Sequence, residues 1–149
     1  PLKGAVWVCR YNRLVDEGRY DEAAALRDTL LGGGAKLAAV HRYSLEADRA
    51  FFQIVNGEAA AGLAALEGGE LKAFLRQMKS HPGIALVSWA GALAAGKADK
   101  AEKCRRAFDK ALAGWPYAGD AAAIRELLAW AGPKLEALCK PVTETGPEL

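Results

Sequence analysis

Gly91-Ala92-Leu93-Ala94-Ala95-Gly96-Lys97 has the GxxxxGK spacing of a phosphate loop, in which backbone N–H groups and the lysine hold phosphates. The chemistry stops there. Ala98 follows, where magnesium needs Ser or Thr, and the Ala-Leu-Ala-Ala run favours helix over loop. No later apolar strand ends in an Asp that could hold the metal. The segment reads as a helix ended by Gly96.

His41 and His81 are the only histidines, and neither has a second ligand at metal spacing. His41 reads as a half-buried helix residue and His81, ahead of Pro82, as a helix-entry residue. Cys9, Cys104 and Cys139 are odd in number, far apart and without a CxxC. They read as small apolar thiols of a reduced, intracellular chain, not as a disulfide framework or a zinc site. Arg105 and Arg106 adjoin Cys104 and would lower its pKa, but Cys104 shares an apolar face with Ala101 and Phe108. No GxSxG elbow is present. An N-terminal Pro acts as a base in some β-rich enzymes, which this chain is not, so Pro1 reads as a chain boundary. No cofactor, metal or catalytic residue is expected.

Lys100, Lys103, Arg106 and Lys110 fall within about a third of a helix circumference at 100° per residue. Such a stripe suits an anion or a nucleic acid. Asp99 interrupts the stripe and Glu102 and Asp109 flank it, which favours a solvated face with i,i+3 and i,i+4 ion pairs. The whole chain carries +2, from 20 basic and 18 acidic side chains, so nucleic acid is not an expected partner. Trp7, Trp89, Trp115 and Trp130 read as core wedges between helices.

The elements that carry these residues must be helical. Alanine supplies 32 of 149 residues, whereas Val, Ile and Thr together supply 13. Alanine favours helix and β-branched residues favour strands, so a mainly β fold is not expected. The uncharged run from Ser80 to Gly96 is too short in its apolar part to span a bilayer. The start at Pro1 suggests processing or a fragment, and is compatible with an upstream anchor.

Gly and Pro punctuate helices expected at about 3–17, 21–31, 36–56, 58–66, 70–79, 84–95, 98–113 and 120–131. Gly132-Pro133 reads as the end of the domain, with 133–149 a partly disordered tail in which Leu135 to Cys139 adds at most one turn. Gly18, Gly57 and Gly96 stand 39 residues apart, twice in succession. Val15, Ile54 and Leu93 stand three residues before them, and Ala23, Gly62 and Ala101 five residues after. A repeat of this length is the mark of a helical-hairpin array, in which a small residue after the turn lets two helices approach.

The segment Gly18-Arg19-Tyr20-Asp21-Glu22-Ala23, with Trp7 upstream, resembles the Gly-x-Tyr-x-x-Ala turn of a tetratricopeptide repeat. Gly96 to Ala101 is a weaker copy and Gly57 to Gly62 weaker still. The resemblance covers roughly residues 3–116. It departs in its period of 39 against 34, in the missing closing Pro of the first two units, and in a longer connection inside each unit. It implies an all-α array of about three helix hairpins, stacked as an α-α superhelix over 1–132 and capped by the last helix.

The resemblance further implies a non-enzymatic protein- or peptide-binding module of the cytoplasm, or a cytoplasm-facing domain of a longer protein. In the family the first helix of each hairpin lines the ligand groove. Carried over by the glycine register, the groove columns are Val8, Ala47 and Leu86; Asn12, Phe51 and Ala90; and Asp16, Val55 and Ala94. They would form a shallow, apolar groove suited to an apolar helix or to self-association. The competing readings are a small all-α enzyme or nucleotide-binding domain, and a nucleic-acid contact through Lys100–Lys110. An enzyme would show a polar pocket holding at least two titratable groups.

Overall fold

Three turns of one geometry organise the chain. Gly18, Gly57 and Gly96 take φ of +75°, +95° and +71°. At each, the glycine N–H reaches back three residues, to the carbonyls of Val15, Ile54 and Leu93. The next N–H reaches back five, from Arg19 to Leu14, Glu58 to Gln53 and Lys97 to Ala92. This paired bonding satisfies the last carbonyls of a helix and needs a left-handed residue, which glycine supplies without a Cβ penalty.

The computed structural model describes residues 2–34 and 36–139. Among them are helices α1 (Leu2–Asp16), α2 (Tyr20–Thr29), α3 (Ala39–Val55), α4 (Ala59–Leu66), α5 (Gly69–Gln77), α6 (Pro82–Ala94), α7 (Ala98–Ala113) and α8 (Ala118–Cys139), and no strand. The all-α expectation is met. The three turns join α1 to α2, α3 to α4 and α6 to α7, and each pair packs together. Ala23, Gly62 and Ala101 are buried where the paired helices meet. A Cβ at Gly62 would lie 2.6 Å from the Ala50 carbonyl, so glycine alone permits this approach of α4 to α3.

The residues beyond a 34-residue period lie after the second helices, not in the hairpin turns. After α2 the chain makes a wide, kinked turn at Leu30–Gly34, where Gly33 has φ +97°. After α4 it forms α5, which packs on α3, α4 and α6. α3 starts at Ala39, three residues later than Lys36, because residues 36–38 are non-helical.

The last helix departs most from expectation. α8 runs through Gly132-Pro133 to Cys139. Proline inside a helix removes one backbone hydrogen bond and costs about 3 kcal/mol. Ala131 and Leu135 on either side of it are fully buried, and burying a leucine alone returns about 1.5–3 kcal/mol. With Trp130 and Leu138 also packed on this core, tertiary burial offsets the local stop signal, and the helix extends past 132. Residues 140–149 of the expected tail lie outside the described residues. α8 packs chiefly on α6 and reaches α1 and α3, while α7 packs on α6.

The main core joins α3, α5 and α6 with Phe108 of α7 and Ala131 and Leu135 of α8. A second core joins Val8, Tyr11, Ala23, Leu30 and Leu45 across α1, α2, the Leu30–Gly34 turn and α3.

Candidate functional site

α6 presents two faces, and each borders a separate cavity. On one face Leu86 and Val87 meet α1, α3 and α8 around a cavity of about 230 Å³. The other face carries Ala85, Ser88 and Ala92, at three- and four-residue steps, into a trough of about 410 Å³ between α5 and α7. No residue lines both.

The first cavity gathers four of the expected groove residues, Asn12, Asp16, Phe51 and Leu86. The columns as a whole are not an open groove. Val8, Ala47, Phe51, Val55, Leu86 and Ala90 are buried, Phe51 to 2% exposure, Ala94 is half-buried, and only Asn12 and Asp16 are exposed. The apolar columns pack between helices and beneath α8. Phe52 and Tyr20 hold Trp130 of α8 at ring separations of 5.7 and 4.7 Å.

Polar groups also gather here. Asp16, Asp48, His81 and Asp120 all border the cavity. Two of them have structural partners. His81 caps α6, its Nδ1 accepting the Gly83 N–H at 3.1 Å, and its ring packs edge-on against Trp115. Burial holds its pKa below the usual histidine value, against the opposing pull of Asp120. Asp48 accepts the Tyr11 hydroxyl at 2.9 Å. Burial pushes its carboxyl up to about 6, against the lowering effects of that bond and of Arg27. Partial burial, Asp120 and Glu17 raise Asp16. No group of three His, Cys, Asp or Glu among the described residues could hold a metal.

Buried Tyr11 and Arg27 and half-buried Asp48 form a polar cluster that motif reading missed. Arg27 is 6% exposed, its Nε makes no hydrogen bond, and its guanidinium lies 5.8 Å from the Phe52 ring centroid. The available signal was its place four residues after buried Ala23 on α2.

The trough is of opposite character. Leu63, Leu66, Leu75 and Ala92 contribute apolar lining. Lys72, Arg76 and Lys79 border it on the α5 side and Lys97, Lys100 and Lys103 on the α7 side, with Glu67 the one carboxylate. The expected α7 stripe is therefore divided. Arg106 is paired with Glu102 at 2.9 Å and the adjacent Arg105 with Asp109 at 3.1 Å, as a solvated face requires. Lys100 and Lys103 instead border the trough. Cys104 lines it half-buried, and burial raises its thiol pKa despite Lys100.

Other expected positions are placed as follows. Gly91 to Ala94 are helical and Gly96 is the turn residue, so the GxxxxGK spacing forms no loop. His41 is half-buried on α3. Cys9 is exposed. Trp7 is not a core wedge: it is 37% exposed, with Arg10 stacked 4.7 Å from its ring. No helix among the described residues is long and apolar enough to cross a membrane. No protein-family model, curated protein or solved structure matches the chain.

Proposed function

We propose that the chain is a non-enzymatic protein-interaction module, built as a tetratricopeptide-like array whose first helices hold an apolar helix. The observation that carries this reading is α8. It lies against α6, α1 and α3, the first helices of the three hairpins, and presents Trp130, Ala131 and Leu135 to them. In a tetratricopeptide-like array the face of the first helices is the one the family uses for ligands. Here the helix on that face is the chain's own, and a partner helix of like pattern, or α8 of a second copy, takes the same place. The adjoining cavity does gather four titratable groups, the pattern set out above for an enzyme, but two of them are engaged structurally, His81 as a helix cap and Asp48 in an interhelical bond, which leaves Asp16 and Asp120.

A fluorescein-labelled peptide of residues 118–139 tests it. Trp130→Ala in the full chain loosens the resident helix by removing its contacts with Tyr20 and Phe52. The variant should bind the peptide roughly tenfold more tightly than the parent chain, equivalent to about 1.4 kcal/mol. A Trp130→Ala chain that keeps its helical circular dichroism and binds the peptide no better would overturn the reading.

A further inference from the structure

We propose that the trough between α5 and α7 is a docking site for an acidic amphipathic helix of a partner protein. It is a different surface from the one that α8 covers, and the proposal stands without that reading.

Charge is the first support. Six cations and one carboxylate border this trough, on a chain whose net charge is only +2. Among the described residues none of the six makes an ion pair, whereas Arg105 and Arg106 on the same α7 are both paired within their helix. Like charges gathered without counterions repel, and an acidic partner relieves that repulsion while gaining speed of encounter.

Spacing is the second support. Lys72, Arg76 and Lys79 are separated by four and three residues, and Lys97, Lys100 and Lys103 by three and three. Lys72 and Arg76 lie about one turn apart on α5 and Lys100 and Lys103 about one turn apart on α7, with Lys79 just past the end of α5 and Lys97 just before the start of α7 extending each edge. The apolar lining, including Leu66 and Leu75, gives side chains of a docked helix a place to bury. A helix with apolar residues at i, i+3, i+4 and i+7, flanked on both sides by Glu or Asp, matches lining and edges together.

The lining also separates this occupant from other anions. It contains no aromatic side chain, whereas single-stranded nucleic acids are held by stacking their bases on aromatic rings. The site is recessed between helices, so a bilayer surface could reach the cationic edges but not the apolar lining. A helix face reaches both.

The test uses the intact chain and a fluorescein-labelled, 16-residue peptide with Leu at i, i+3, i+4 and i+7 and Glu elsewhere on the flanks. Anisotropy should report binding that weakens at least tenfold in the Lys72→Glu/Lys100→Glu variant. Both positions are exposed, so circular dichroism and melting temperature should stay close to those of the parent. A peptide of the same composition with the Leu residues scattered should bind at least tenfold more weakly. Equal binding of the two peptides, or undiminished binding by the folded double variant, overturns the proposal. Tighter, Lys72- and Lys100-dependent binding of a thymidine oligonucleotide or of phosphatidylglycerol vesicles also overturns it, in favour of that anion.

Discussion

The Tyr11 hydroxyl on α1 donates to Oδ2 of Asp48 on α3 at 2.9 Å, joining helices of two different hairpins. Arg27 of α2 supplies the nearby positive charge that opposes the rise in the Asp48 pKa. The first hairpin is therefore tied to the second by a polar cluster as well as by the small core around Leu45.

That cluster gives stability a pH dependence. The folded-state pKa of Asp48, about 6, lies above the ordinary value of 3.8. Between these values the folded state binds more protons than the unfolded state, so the contribution is fully present below pH 3.8 and is lost as pH rises through 6. The shift corresponds to about 2–3 kcal/mol. Asp48→Asn should flatten the melting temperature between pH 4 and 7 relative to the parent. Arg27→Met should move the Asp48 carboxyl, followed by NMR, above 6. A parent and Asp48→Asn variant with parallel pH profiles would show that Asp48 titrates normally.

The turn glycines separate backbone strain from packing. Nothing lies within 4 Å of a Cβ at Gly18, so Gly18→Val carries only the cost of positive φ, about 1–2 kcal/mol or more for a β-branched residue. Gly62→Ala has no such strain but drives its Cβ into the Ala50 carbonyl and the Ile54 side chain. Overpacking of this kind costs about 1–3 kcal/mol. Denaturant melts should place both below the parent, and an unchanged midpoint for Gly18→Val would contradict its turn geometry.

What could be read from the chain follows from how local each signal is. Gly18, Gly57 and Gly96 were legible because a helix-ending left-handed turn is set by the glycine and its neighbours. The small residues five positions on were legible for the same reason. The stop signal at Pro133 is local, whereas the burial of Trp130, Ala131, Leu135 and Leu138 that offsets it is set by tertiary packing alone. Half of the trough was visible, as Lys100 and Lys103 on one face of α7. Lys72, Arg76 and Lys79 were not, since only the packing of both α5 and α7 on α6 sets the two cationic edges around one cavity. Arg27 and Asp48 were invisible as a pair because they meet across helices from different hairpins.

His81 should act as a neutral cap. Its Nδ1 can accept the Gly83 N–H only without a proton, and burial depresses its pKa. The capping contribution is therefore present above the ordinary histidine pKa of 6.5 and lost as pH falls through the lower folded-state value. His81→Ala should cost about 1 kcal/mol at pH 7.5, as lost N-caps do. At pH 5 the difference from the parent should shrink. Chemical denaturation at both pH values measures it, and an equal loss at each would show that the imidazole does not cap through Nδ1.

The burial of Phe51 and Leu135 predicts which surfaces cannot be cut or charged. Phe51 is 2% exposed and Leu135 fully buried in one core that joins α3, α6 and α8. Phe51→Asp places an unpaired carboxylate in that core and should abolish cooperative unfolding, whereas charge reversal at exposed Lys72 or Lys100 should not. Leu135→Ala should cost about 2–5 kcal/mol, the range for removing a buried leucine side chain. A chain ending at Gly132 loses Leu135 and the rest of α8 beyond it, and should be destabilised by at least as much. Thermal melts of the three against the parent decide the matter. If the chain ending at Gly132 melts with the parent, α8 beyond Pro133 adds nothing to the fold. If Phe51→Asp stays folded, the α1, α3 and α6 face is more open than its burial indicates, and partner binding there should be measured without displacing α8.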